Sequence, residues 1–136
     1  ISGTQTGHLA SLTPDQYTLV TNYDIATNSL QCLGRVKASA ESLTHLAFYE
    51  ADPSIQGVIH IHNLEMWQDL MNKVPTSSAA VPYGTPEMAR EITSLFKETH
   101  LPEDKIMIMA GHREGLIAFG KTLEEAAAVI MPLIER

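Results

Sequence analysis

Two histidines separated by a single residue are the most informative chemical feature of this sequence. His60 and His62 end the β-branched segment Gly57-Val58-Ile59-His60-Ile61-His62, which predicts a strand. Side chains at positions i and i+2 of a strand point to the same face, so the two imidazoles can hold a metal ion between them. The pair is also consistent with two exposed or hydrogen-bonded histidines, and a metal site requires a third ligand.

A candidate third ligand lies in the predicted turn Gly111-His112-Arg113-Glu114-Gly115. A turn at the end of a neighbouring strand can carry His112 over the face that bears His60 and His62. Three neutral imidazoles and an open coordination position make a zinc ion a strong Lewis acid. Spacing alone favours a solvent-facing His112, and Glu114 is a competing ligand because carboxylates also bind zinc.

Glu41 is a candidate general acid or base, four residues before His45 on the same face of a predicted helix. Proton transfer near neutral pH requires a raised pKa, whereas the positive end of a helix dipole lowers the pKa of a carboxyl group. The local sequence therefore favours a structural role for Glu41, which offsets the dipole, while His45 either orients Glu41 or packs. Cys32 has no positively charged neighbour in its strand and is predicted to be a small core residue rather than a nucleophile.

Hydrophobic periodicity and the positions of Pro and Gly predict the element order β-β-α-β-α-α-β-β-α. The predicted strands lie at 17–21, 30–33, 57–62, 106–110 and 116–119. The predicted helices are one at 41–51 with Ser39 as N-cap, one after the N-cap Asn63, one from Pro86 to near His100 with Thr85 as N-cap, and one after Thr122, which forms a capping box with Glu125, that ends near Met131. Hairpins at both ends favour a mixed or mostly antiparallel sheet covered by helices over a doubly wound parallel sheet.

The composition is that of an ordinary globular domain, with 44% hydrophobic and 18% charged residues among 136. A chain of this length is expected to form a single domain, residues 1–136. Its net charge of −7 argues against nucleic acid or an anionic membrane surface as a partner. One cysteine and the lack of a bilayer-spanning apolar stretch predict a cytoplasmic protein. Because the sequence begins with Ile1, we expect that an N-terminal segment of the domain is missing.

Several segments, in order, resemble the class II aldolase and adducin family over nearly the whole chain. The signature region of that family contains a serine turn before a glutamate, a histidine four residues later, a helix exit and a His-x-His strand. These features correspond here to 38–41, 45–49, 52–53 and 58–62 without a gap. Segments 81–83 and 115–126 look like the later strand-turn and C-terminal hairpin-helix regions of the family.

The resemblance implies an α/β fold with three αβα layers around a mixed, mostly antiparallel sheet, and a homotetramer with sites at subunit interfaces. It implies zinc, or another divalent metal, held by His60, His62 and His112. Glu41 would be the catalytic residue that shuttles a proton, and Ser39 a substrate-binding hydroxyl. The implied activity is that of a metal-dependent lyase, which cleaves a small hydroxy-carbonyl or sugar-phosphate substrate through a zinc-stabilised enediolate.

The third ligand is one point at which the sequence departs from the family pattern. Alignment through Gly115 without a gap places Glu114 where the family usually has histidine. A turn two residues longer admits His112 at little cost and keeps three imidazoles, so we favour His112.

Other departures concern the substrate. Ala38 and Ala40 replace residues of the phosphate-binding turn, and the family's Gly-Asn-x-Ser loop would precede Ile1. The segment 74–80 is shorter than its aldolase counterpart and lacks the tyrosine that serves there as proton donor. Epimerase, dehydratase or decarboxylase activity, or a non-catalytic adducin-like assembly module, are therefore alternatives to aldol cleavage.

Overall fold

The computed structural model describes residues 1–135. Its strands are β1 (Thr18–Asp24), β2 (Ser29–Gly34), β3 (Gly57–His62), β4 (Ile106–Ile108) and β5 (Gly115–Gly120), and its helices are α1 (Ser42–Ala51), α2 (Leu64–Leu70), α3 (Pro86–Glu98), α4 (Leu101–Asp104) and α5 (Leu123–Ile134). The order predicted from sequence is found, with the one-turn helix α4 and a short 3-10 helix (Pro14–Gln16) in addition. Of the helices in this part of the chain, none is both long and apolar enough to cross a membrane.

The strands form two antiparallel sheets. β1 pairs with β2 as a hairpin, and β5 lies between β3 and β4 in a three-stranded sheet. A parallel bridge joins Thr76 to Ile108 at the edge strand β4, so the pairing is mostly antiparallel, as predicted. In the β3–β5 register His62 lies opposite Gly115, which brings the end of β3 beside the loop that precedes β5.

Apolar side chains cover both faces of the three-stranded sheet. On one face, α1 and α3 contribute Phe48 and Ile92 to a cluster that includes Ile117 of β5. On the other face, Leu116 of β5 packs with Ile130 of α5 and with α2. Neighbouring residues of β5 thus point to opposite faces, as the alternation of a strand requires. The helix, sheet and helix layers confirm the predicted αβα architecture.

Three helix starts agree with the capping residues predicted from sequence. The side chains of Asn63, Thr85 and Thr122 each accept a hydrogen bond from the backbone amide three residues later. The end of α5 differs, because the helix continues through Pro132 to Ile134. Val129, Ile130 and Leu133 of its final turns pack in the apolar cluster against the sheet, and this burial offsets the cost of a proline inside the helix.

Two local predictions are wrong. Glu41, not Ser39, is the N-cap of α1, because the chain makes a turn first: the Ser39 carbonyl accepts from the Ser42 amide, and the Ser39 hydroxyl accepts from the Glu41 amide. Cys32 is exposed rather than in the core. Among the described residues, β2 pairs only with β1. Its other edge and most of its side chains, including Cys32, are therefore exposed to solvent.

Candidate metal centre

His60 and His62 lie at the carboxyl end of β3, on the same face of the strand. Their ring centroids are 4.8 Å apart. The backbone of β3 is paired with β5 along its whole length, so the strand holds both Cα positions rigidly. His60 is partly buried and His62 is exposed, which makes the pair accessible from one side.

His112 joins this pair from the loop between β4 and β5. Its amide donates to the carbonyl of Met109, and its carbonyl accepts from the amide of Gly115, so two tight turns fix its backbone. The Nε2 atoms of His112 and His62 are 3.0 Å apart. One ring nitrogen from each of the three histidines lies within 4.8 Å of the others.

Two of these imidazoles, those of His60 and His112, are held in the neutral form. Burial, aided by the charges of His62 and His112, lowers the pKa of His60 to about 3. Burial and the charge of His62 lower the pKa of His112 as well. Only a nitrogen without a proton binds a metal, so a histidine that stays neutral is ready to act as a ligand.

The donor set fits a divalent metal ion. Nε2 of His60 is buried and has no hydrogen-bond partner among residues 1–135, which is costly unless a ligand satisfies it. In a tetrahedral zinc site with bonds of about 2.0–2.1 Å, two donors lie roughly 3.3 Å apart. The Nε2 atoms of His62 and His112, at 3.0 Å, are close to that separation.

The carboxylate of Glu41 lies beside the three histidines. Its Oε1 is 3.9 Å from Nε2 of His112, and the residue is 5% exposed. Neither carboxylate oxygen has a hydrogen-bond partner in the described structure. Burial raises the pKa of Glu41, an effect that the nearby Thr44 hydroxyl partly opposes. The local sequence favoured a residue of the first helical turn with a lowered pKa, whereas Glu41 is the N-cap of α1 and burial is the largest cause of its pKa shift.

Glu114, the competing third ligand, does not join the histidine cluster described here. Its side chain points toward Arg113, with 3.8 Å between Oε1 and Nε. Its backbone has a positive φ of 71°, and its carbonyl accepts from the amide of Asn63 at the start of α2. Glu114 thus shapes the loop that presents His112 rather than reaching the site itself.

Two other residues singled out from the sequence lie near the site. Ser39 is partly buried, two residues before Glu41, and its hydroxyl accepts from the Glu41 amide. His45 is close enough to His60 to lower its pKa, but makes no hydrogen bond to Glu41. His45 therefore packs beneath the site, which was one of the two alternatives predicted for it.

Comparison with known proteins identifies the fold. Residues 4–135 match the family described as the class II aldolase and adducin N-terminal domain. The chain belongs to this family. Its structure is also similar to that of YgbL from Escherichia coli, described as "a putative aldolase/epimerase/decarboxylase", with a TM-score of 0.68 and 22% identity over 98% of this chain and 68% of that chain. No curated protein sequence matches this chain significantly.

In this class II aldolase/adducin domain, one residue near the site was placed there by no motif in the sequence, which left it as one of four tyrosines that could replace the missing proton donor. The ring of Tyr83 packs against His112 in a tilted arrangement, with a distance of 4.0 Å between the centroids and an interplanar angle of 43°. The segment 81–83 resembles the family, but nothing in its spacing indicates that it meets a turn almost thirty residues later. The contact is a product of the tertiary fold.

Proposed function

We propose that this protein is a metal-dependent lyase that acts on a small hydroxy-carbonyl or sugar-phosphate substrate. The observation that carries the proposal is the convergence of His60, His62 and His112, together with the buried, unpaired carboxylate of Glu41. Three neutral imidazoles hold a divalent ion, which we propose to be zinc, and leave a position open for substrate. When bound, such an ion acts as a Lewis acid that stabilises negative charge as it develops on substrate oxygens.

Glu41 would move the proton. Its raised pKa suits a group that must both accept and return a proton near neutral pH. Its carboxylate has no partner of its own in the described structure, so it is free to interact with a substrate bound beside His112. A protein that used this fold only for assembly would gain nothing from an unpaired carboxylate in its interior, because burial of that charge destabilises the fold.

Ser39 would contact the substrate. Its hydroxyl oxygen accepts from the Glu41 amide, which leaves the hydroxyl hydrogen available to donate to a phosphate or hydroxyl group. The same hydrogen bond joins Ser39, the proposed substrate-binding residue, to Glu41, the proposed proton-transfer residue. We propose aldol cleavage as the reaction. Epimerisation, dehydration and decarboxylation are the alternative reactions, because each also develops negative charge on a substrate oxygen.

We propose further that the enzyme works in the cytoplasm as a homo-oligomer, a tetramer. Family membership supports the tetramer. The apolar surface of the β1–β2 hairpin, where Leu19 is 63% and Leu33 is 70% exposed, also supports an oligomer. Exposed apolar pairs of this kind are common at subunit interfaces. Light scattering of the purified protein measures the oligomeric state directly.

The activity is tested by hydrogen exchange at the carbon beside a carbonyl group. The protein is incubated with zinc and with dihydroxyacetone or its phosphate in deuterated water, and exchange is followed by proton NMR. We expect exchange that depends on both zinc and Glu41, with Glu98→Gln as a matched surface control. Exchange that is unchanged in Glu41→Gln contradicts the proposed proton transfer, and equal rates for both substrates contradict a phosphate-binding role of Ser39.

A further inference from the structure

His112 depends on side-chain packing more than the other two histidines do. His60 and His62 lie on a strand that is paired along its length, whereas His112 lies in the loop before β5. Its backbone is fixed by turns, but a fixed backbone still leaves the ring free to rotate between rotamers. The His112 side chain is nevertheless only 14% exposed, so its neighbours must hold the ring.

Two neighbours enclose the ring from different sides. Gly115 lies against it so closely that an added Cβ would approach Cδ2 of His112 to 2.5 Å. The ring of Tyr83 also lies against it, with 4.0 Å between the centroids of the two rings. Tyr83 is 45% exposed, so its ring is the part of the structure that separates His112 from solvent on that side.

The position of Tyr83 is itself determined by contacts to both sides of the site. Gly84 has a φ of +64°, and a Cβ there would come within 2.6 Å of the carbonyl oxygen of Ala40. The amide of Gly84 donates to the hydroxyl of Thr44, which is fully buried in α1. These contacts hold the turn at 82–85, which contains Tyr83, against the segment that carries Glu41.

The other side of the turn meets the loop that carries His112. A Cβ on Gly111 would collide with the carbonyl oxygen of Val81, so the two backbones are in direct contact. Within the turn, the hydroxyl of Thr85 donates to the carbonyl of Pro82 at 2.7 Å. Tyr83 is therefore held between the Glu41 segment and the His112 loop.

We infer that Tyr83 is a positioning residue, whose ring holds the His112 imidazole in the rotamer that faces His60 and His62. The inference rests on the proposed function insofar as His112 is a metal ligand. It assigns the effect to the aromatic ring and not to the phenol hydroxyl, because the stacking contact involves the ring. Removal of the ring should weaken zinc binding, whereas removal of the hydroxyl alone should not.

The first experiment compares zinc affinity and zinc release in four proteins: wild type, Tyr83→Ala, Tyr83→Phe and Tyr17→Ala. Tyr17 is a matched control, since it is 49% exposed and lies outside the site. We expect affinity about 10-fold weaker in Tyr83→Ala, at the low end of the range for residues that orient a metal ligand. Tyr83→Phe and Tyr17→Ala should behave as wild type, and thermal unfolding of each metal-free variant controls for loss of structure.

A second measurement needs no metal. Three-bond NMR couplings of His112 in the metal-free protein should indicate one χ1 rotamer in wild type and in Tyr83→Phe, and averaging between rotamers in Tyr83→Ala. A single rotamer and unchanged zinc release in Tyr83→Ala would overturn the inference and leave the proposed function intact. Wild type that binds no zinc would refute the proposed metal site, while the couplings would still decide whether Tyr83 positions the ring.

Discussion

The Nε2 atoms of His62 and His112 face each other at 3.0 Å, although the two residues are 50 positions apart in the chain. Two imidazole nitrogens at this distance can share one proton or one cation, because two lone pairs that face each other without either would repel. Nε2 of His60 is buried and, unlike the other two, has no hydrogen-bond partner in the described structure. The arrangement suits a shared metal ion better than a single proton, which satisfies only two of the three rings.

Substitution of the individual ligands tests this arrangement directly. We expect about one divalent metal ion per chain in the wild type, and loss of the metal in His60→Ala and in His112→Ala, because zinc needs three protein ligands here. Glu114→Gln should keep the metal, since its side chain lies toward Arg113. Elemental analysis after zinc loading and dialysis measures these contents. Metal lost in Glu114→Gln but retained in His112→Ala would show that the carboxylate is the third ligand.

Glu41→Gln should separate catalysis from metal binding. The substitution keeps the shape of the side chain and removes the proton-transfer group, so hydrogen exchange of substrate should fall by about 10²–10⁴-fold while zinc content stays the same. The metal-free variant should unfold at the same temperature as wild type or higher, because a neutral amide is less costly to bury than an unpaired carboxylate. A marked loss of zinc or of thermal stability would contradict this division of roles.

Gly115→Ala should disturb the site through the His112 ring. The new Cβ would approach Cδ2 of His112 to 2.5 Å and its carbonyl oxygen to 2.9 Å, so the imidazole or the loop must shift. We expect weaker zinc binding and a loss of about 1–3 kcal/mol in the free energy of unfolding. Gly7→Ala is the matched control, because nothing lies within 4 Å of a Cβ at that position. Equal zinc affinity and equal urea midpoints in both variants would refute the prediction.

The pH dependence of stability should report the buried imidazole of His45. Burial lowers its pKa to about 4, against 6.5 for an ordinary histidine. Below pH 6.5 the unfolded chain therefore binds a proton that the folded chain does not bind, and stability falls as the pH decreases from 6.5 to about 4. Thermal unfolding of metal-free protein across this range measures the slope.

Two variants identify the histidine that causes the decrease in stability at low pH. His45→Gln should make the slope shallower. The remainder comes from His60, whose pKa is lowered to about 3, and from His112, with Glu41 acting in the opposite direction because its pKa is raised. His8→Gln, a substitution at an exposed position, is the matched control and should keep the wild-type slope. The same slope in His45→Gln as in wild type would show that His45 does not stay neutral in the folded state.

Local sequence determined the elements and one half of the site. The alternation of a strand is enough to place His60 and His62 on one face, and capping residues such as Asn63 and Thr85 mark helix starts because their interactions span only three residues. Each of these features depends only on residues a few positions apart in the chain, so the local sequence is enough to predict it.

The tertiary structure decided what those elements bring together. Spacing alone favoured a solvent-facing His112 and left Glu114 as a competing ligand, whereas the folded β4–β5 loop brings His112 beside His60 and His62. The local argument about Glu41 considered only its place at the start of a helix, whereas burial in the folded chain is the largest cause of its pKa shift. The contact of Tyr83 with His112 has no local signal at all. Desolvation and stacking depend on which distant segments meet, and that is a property of the folded chain.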